Sequence, residues 1–314
     1  MSEAVKGMLA VMASYTIWGL SPIYYKLVDH VPALEVLAHR TIWTLVMFAI
    51  VLAIQGRLGV LRAALSNGPQ LGFVALASGL ISLNWLLFIF AIQSGQTVQA
   101  SIGYYIFPLI AVLFGVFFFK EHLNAVRGLS VAIAAGAVLV LSVGLGSAPW
   151  LSLALAVSFA LYGVVKKKVA AGPVVSVTAE VVLVAPLALV WLVGAATQGW
   201  SGMAGVQGGL FGASLSDTLL LPLSGLLTGV PLMLFAYASK RITLTTIGLG
   251  QYYNSSMQFA VAVLVFGEVV TRWHAIALPA IWLALAIYFY DVVRQERAVR
   301  RASVNAGTSS TTVT

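Results

Sequence analysis

The sequence contains no cysteine and very little charge: Cys 0, and 8% Asp, Glu, Lys and Arg among 314 residues. Without cysteine there is neither a disulfide framework nor a thiolate metal site, and thiols say nothing about the redox compartment. The scarcity of charge restricts more. A soluble domain carries about 25% charged residues, so the composition argues against a soluble fold. Carboxylates are rarest, with Asp+Glu 9 against Lys+Arg 17, a net charge of +8. That excess does not make a nucleic-acid surface, because the basic residues stand singly or in short clusters between apolar runs. Enzyme signatures are missing as well. No G-x-S-x-G, H-E-x-x-H, Walker loop or dinucleotide fingerprint occurs, so no catalytic residue, cofactor or metal ligand is assigned. The missing Walker loop also excludes transport driven by the chain's own ATP hydrolysis.

What is present is apolar: 61% hydrophobic residues and a mean hydropathy of +1.00. Runs of about 20 apolar residues recur along the chain, long enough to cross a hydrocarbon core of about 30 Å as helices. They predict ten spans, at 7–28, 33–54, 70–93, 97–119, 126–145, 149–169, 174–195, 217–239, 244–266 and 273–292. The polar start Met1 to Lys6 is followed by no small-residue cleavage site and reads as a retained first helix. Most connections are short. The exception, 196–216, is rich in Gly and Ser and reads as a flexible external loop, and 293–314 reads as a disordered cytoplasmic tail. With a cytoplasmic amino terminus, every Lys and Arg except Lys26, Arg40 and Arg272 falls on the inner side. By the positive-inside rule both termini are then cytoplasmic.

The two halves of the chain share punctuation. Phe88 matches Phe235, Tyr105 matches Tyr252, Glu121 matches Glu268, Trp18-Gly19 matches Tyr162-Gly163, and Pro32 matches Pro173. The expected architecture is therefore an all-α polytopic membrane protein of ten transmembrane helices. Its repeats would be 7–145 (helices 1–5) and 149–292 (helices 6–10). Five is odd, so the second repeat enters the membrane from the opposite side. Inverted repeats of this kind can exchange conformations and expose one cavity to either face. That points to a secondary permease, and the alternative is a membrane sensor or scaffold that binds a ligand without moving it.

Charge inside an apolar helix is costly and commonly faces a cavity or a partner helix. His39, Arg40 and Glu180 form the candidate coupling or ion-pair set, a proton-coupling or substrate-charge site weighed against an interfacial or interhelical network that fixes packing. Glu35, near the outer surface, reads as structural. The polar and aromatic residues within helices need partners in hydrocarbon and should point inward. They give the substrate-cavity candidates Trp18, Tyr25, Lys26, Asn84, Trp85, Ser101, Tyr104, Tyr105, Tyr162, Gln251, Tyr252 and Asn254. Lys26 reads equally as a snorkelling anchor. Glu121 and Glu268, each ending a helix after an aromatic residue, read as structural caps, and Lys166 to Lys168 as topology determinants. Gly128, Ala132 and Gly136 make a small-residue face on the fifth helix, open to internal contacts or a homodimer.

The runs YTIWGLSPIYYKL, PALEVLAHRTIW, NWLLFIFAI, ASIGYYIFPLIAVLFG, YGVVKKK and TIGLGQYYNSSMQFAVAVLVFGE resemble the RarD branch of the EamA-type permeases in the drug/metabolite transporter superfamily. The resemblance covers nearly the whole chain outside 196–216 and the tail. It implies a ten-helix, two-repeat bacterial inner-membrane permease whose partners are the lipid bilayer and a small molecule, with related permeases exporting amino acids and other metabolites. By motif it carries over Trp18, Lys26, His39, Arg40, Asn84, Trp85, Ser101, Tyr104, Glu121, Tyr162, Glu180 and Gln251. The chain departs from the branch at Phe107-Pro108, where relatives have Asn-Pro, and at Asn254-Ser255, where they have Gly-Pro.

Overall fold

The computed structural model describes residues 1–93, 97–146, 150–202, 207–267 and 270–309. Among them are eleven helices: α1 Glu3–Leu27, α2 Ala33–Ile54, α3 Leu58–Ser66, α4 Gly68–Gln93, α5 Thr97–Phe119, α6 Ala125–Gly144, α7 Trp150–Lys168, α8 Pro173–Gln198, α9 Leu215–Ser239, α10 Leu244–Leu264 and α11 Arg272–Ser309. No strand occurs among the described residues, only an isolated antiparallel bridge between Ser201 and Gln207.

Seven helices (α2, α4, α5, α6, α7, α8 and α9) are long and apolar enough to cross a membrane. α10 is diluted by Thr245, Thr246, Gln251, Asn254, Ser255, Ser256 and Gln258, and many of those side chains turn inward. Large apolar residues such as Phe117, Leu139, Val143 and Leu187 lie exposed on the outside of the bundle. A soluble protein rarely tolerates such a belt, and lipid takes it readily. The chain is a multi-pass membrane protein.

Helix ends follow local chemistry. Ser2, Asn124, Ser214 and Thr243 cap α1, α6, α9 and α10 by accepting a backbone N–H three residues on. Gly56 and Gly199, both at φ +65°, end α2 and α8 in the left-handed conformation that only glycine adopts cheaply. Between Gly56 and α4 lies α3, which the sequence reading passed over. It is too short to span and none of its residues is buried. α11 is bounded at Ser309, and the end of the tail expected at 293–314 lies outside the described residues.

Close packing uses small residues. Gly103 on α5 lies against the Ser152 carbonyl of α7, and Gly225 on α9 against the Trp43 backbone of α2. Any larger residue at either place would meet main chain. Thr44 Oγ1 donates to the Gly225 carbonyl at 3.1 Å across the same crossing. By contrast, nothing approaches Gly128 or Gly136, so the small face of α6 is no internal contact. α6 instead meets α11, where Asp291 accepts from Arg127 at 2.9 Å and from Asn124 at 2.8 Å.

The long connection after α8 is docked. Glu35, 1% exposed, accepts the backbone N–H of Gly209 and of Leu210, each at 2.8 Å. Phe211 packs on the His39 ring at 4.9 Å. The loop expected to be flexible is thus held on α2 by a buried carboxylate, which two backbone N–H groups repay for its desolvation.

Candidate functional site

A cleft enclosing about 440 Å³, open solvent included, lies between α1, α2, α4, α5, α7 and α10. Its walls come from the carboxyl-terminal half of α1 (Trp18, Ser21, Tyr25), the start of α2 (Arg40), the end of α4 (Asn84, Trp85, Phe88), the start of α5 (Tyr104), Phe159 of α7, and Gln251, Asn254 and Gln258 of α10. Consecutive long helices run antiparallel, so all these positions fall in one half of the bundle, toward the end where α1 finishes.

Arg40 organises one wall. It is 3% exposed, its Nε donates to Thr228 Oγ1 at 2.7 Å, and its Nη1 donates to the Tyr25 hydroxyl at 2.9 Å. Its guanidinium carbon sits 3.6 Å from the centroid of Trp85, the face-on geometry of a cation–π contact. Asn84 is spent on structure, donating to the Leu155 carbonyl at 2.8 Å and Ser158 Oγ at 3.0 Å. Phe88 stands edge-on to Tyr25 at 6.2 Å and to Tyr104 at 5.4 Å. Gln251 is fully buried, and neither its amide nitrogen nor its amide oxygen has a hydrogen-bond partner among the described residues.

Beneath the cleft lies a layer of aromatic rings. Phe235 is 5.9 Å from Trp18, 5.4 Å from Phe159, 6.0 Å from Tyr162 and 6.4 Å from Tyr15. Below that, charged groups clasp the helix ends. Glu121 accepts from Leu244 N at 2.9 Å, Thr245 N at 3.2 Å and Thr245 Oγ1 at 2.6 Å, so the end of α5 caps the start of α10. Lys167 lies 3.6 Å from Glu121 and donates to the Ile242 carbonyl at 3.2 Å. Lys240 donates to the Val169 carbonyl, and burial, then the positive Lys166 nearby, pushes its ammonium below the usual lysine range. Glu3 pairs with Arg241 at 2.8 Å.

The sequence candidates divide. Trp18, Tyr25, Arg40, Asn84, Trp85, Tyr104, Gln251 and Asn254 line the cleft. Tyr105 and Tyr252 do not. Each follows a lining residue, and one helical step turns it about 100° away. Their rings meet behind the wall at 6.3 Å. Lys26 likewise follows Tyr25; it points outward and pairs with Asp29 at 2.9 Å. Tyr162 donates to Glu180 at 3.1 Å instead of facing the cleft. The side chain of Ser101 and the whole of Glu268 lie outside the described residues.

His39, Arg40 and Glu180 do not share one site. His39 lies 3.9 Å from Glu35, whereas Glu180 pairs with Lys166 at 2.5 Å. Lys166 is 1% exposed and Glu180 2%, so Lys166 is a buried ion-pair partner and more than a topology determinant. Ser176 accepts from Lys166 and donates to Glu180 at 3.1 Å.

Sequence reasoning missed Ser21, Phe88, Phe159 and Gln258 in the cleft wall. Spacing was the available signal for three of them: Ser21 and Phe88 stand three residues after Trp18 and Trp85, and Gln258 seven after Gln251. Phe159 carries no such mark.

The chain matches the EamA-like transporter family over residues 5–143. It is 38% identical over 301 residues to "Uncharacterized transporter YojE" of Bacillus subtilis, covering 95% of this chain and 98% of that protein. It is 37% identical to "Protein RarD" of Streptomyces exfoliatus, covering 95% and 93%. To "Protein RarD" of Escherichia coli K12 it is 34% identical over 93% and 96%. A solved crystal structure 19% identical in sequence shares the fold, with a TM-score of 0.68 over 90% of this chain and 96% of that one. These names are those of transporters and transporter relatives, not enzymes. On relationships that span nearly the full length, the chain belongs to the RarD-type EamA permeases of the drug/metabolite transporter superfamily.

Proposed function

We propose that the chain is a secondary-active permease working by alternating access, exporting amino-acid-like or amphipathic metabolites or drugs. It spans the bacterial cytoplasmic membrane with ten helices in two inverted repeats, 7–145 and 149–292, and keeps both termini inside. The observation that carries this reading is the one-sided cleft. Six helices open around it in one half of the bundle, while stacked rings and a clasp of charged groups close the other half.

The pattern of helix contacts supports the inverted repeats. Exchanging α1 with α7, α2 with α8, α4 with α9, α5 with α10 and α6 with α11 turns principal contacts into other contacts that are also made. The pair α5 and α7 becomes α10 and α1, α4 and α7 becomes α9 and α1, and α4 and α8 becomes α9 and α2. The pairs α2 and α8, α5 and α10, and α6 and α11 map onto themselves.

The absence of native cysteine makes the test direct. Cysteines introduced at Tyr104 and Gln251 should react with a membrane-impermeant maleimide from either face, and substrate should protect them. Reaction from one face only would sink alternating access and leave a ligand-binding sensor. Flux of amino acids and chloramphenicol into proteoliposomes, with and without a pH gradient, reports transport and proton coupling together.

A further inference from the structure

We infer that the ligand of this cleft is a carboxylate anion with a planar aromatic body, its carboxylate held by Arg40. The inference deepens the permease reading and rests on it for the fate of the bound molecule.

Charge comes first. Among the lining residues Arg40 is the one that carries charge, and none of the ion pairs among the described residues includes it. Its partners are neutral: two hydroxyls and the Trp85 ring. A guanidinium offers five N–H donors in a fork that matches a carboxylate. Here Nε and Nη1 are engaged, and Nη2 makes no hydrogen bond to a described residue. A cation at this depth in an apolar bundle calls for a counter-ion, and the described residues supply none at this wall.

Shape comes second. Trp18, Tyr25, Trp85, Phe88 and Tyr104 present ring faces and edges to the cleft, a lining suited to a flat apolar body. At the floor, the Gln251 amide is fully buried with both polar atoms unpartnered. A buried amide in that condition is costly unless a ligand completes it. It offers its two N–H donors and its carbonyl acceptor to an uncharged polar group at the far end of the molecule. No Asp or Glu stands among the lining residues, so a free ammonium finds no carboxylate.

The probes are hippurate, its neutral amide hippuramide, and phenylalanine, titrated calorimetrically into the purified full chain. Hippurate should bind at least about tenfold more tightly than either of the others, the scale of a hydrogen-bonded charge. Arg40→Gln should remove the preference for hippurate, so that the acid and the amide bind alike. Equal binding of hippuramide or phenylalanine, or no hippurate binding at millimolar concentration, overturns the inference. The acid–amide comparison uses the unmodified chain, so it stands even where Arg40→Gln fails to fold. Proteoliposome flux separates the two readings. Hippurate bound but not moved removes the permease and keeps the anion site, whereas phenylalanine moved with no hippurate bound removes the anion site and keeps the permease.

Discussion

Removing either partner of the Lys166–Glu180 pair should damage the protein more than removing both. The two side chains are 1% and 2% exposed and 2.5 Å apart, with the hydroxyls of Tyr162 and Ser176 completing the carboxylate. Glu180→Leu leaves the Lys166 ammonium buried with the Ser176 hydroxyl and the Tyr162 ring, 5.7 Å away, as neutral partners. Lys166→Met leaves the carboxylate with two hydroxyl donors and no cation. Each single change leaves an uncompensated buried charge, at about 3–5 kcal/mol. The double variant buries two apolar side chains and strands only the two hydroxyls, at about 1–2 kcal/mol. A double-mutant cycle should therefore yield a coupling larger than about 3 kcal/mol. Reversible unfolding in mixed micelles with increasing SDS, followed by tryptophan fluorescence, measures all four corners. Costs that simply add would show that the pair contributes no coupling, and the reasoning would fail.

Glu121→Ala removes the cap of α10 and should lower stability by about 2 kcal/mol, with Glu121→Gln between the two; the same unfolding assay reads it, and an unchanged Glu121→Ala would refute the capping role. Glu35→Ala should release the loop on α2, seen as faster hydrogen exchange at the Gly209 and Leu210 amides while the amides of α6 stay protected. Gly225→Ala should push α2 and α9 apart and reduce folded protein on size-exclusion, whereas Gly128→Ala, whose added Cβ meets nothing within 4 Å, should elute as the parent does.

Helix positions were legible because hydrocarbon imposes a single rule: long apolar runs must form helices, which satisfy their own backbone. The predicted bounds 33–54 and 97–119 coincide with α2 and α5. α3 was not legible, since a nine-residue segment is too short for that rule to act on. Residue identity on the cleft wall was legible where polarity made the residue conspicuous, as with Asn84, Gln251 and Asn254. Its direction was not, because Tyr104 and Tyr105 look alike in sequence and only rotation about α5 separates wall from core. Partners distant in sequence were the least accessible. Glu35 acts on backbone amides 174 and 175 residues away, groups that every residue carries and that leave no mark in the sequence. Lys166 looked like its neighbours Lys167 and Lys168, and only the approach of α8 singles it out.

The ring layer beneath the cleft has an electrical consequence. Tyr15, Phe159, Tyr162 and Phe235 are all at most 4% exposed, and with the clasp below them they make the packed half of the bundle the main barrier to charge. The cleft thins that barrier from the other side, so a membrane voltage is concentrated on the packed half. Any net charge that crosses it then crosses most of the voltage, at about 2.3 kcal/mol per elementary charge for each 100 mV.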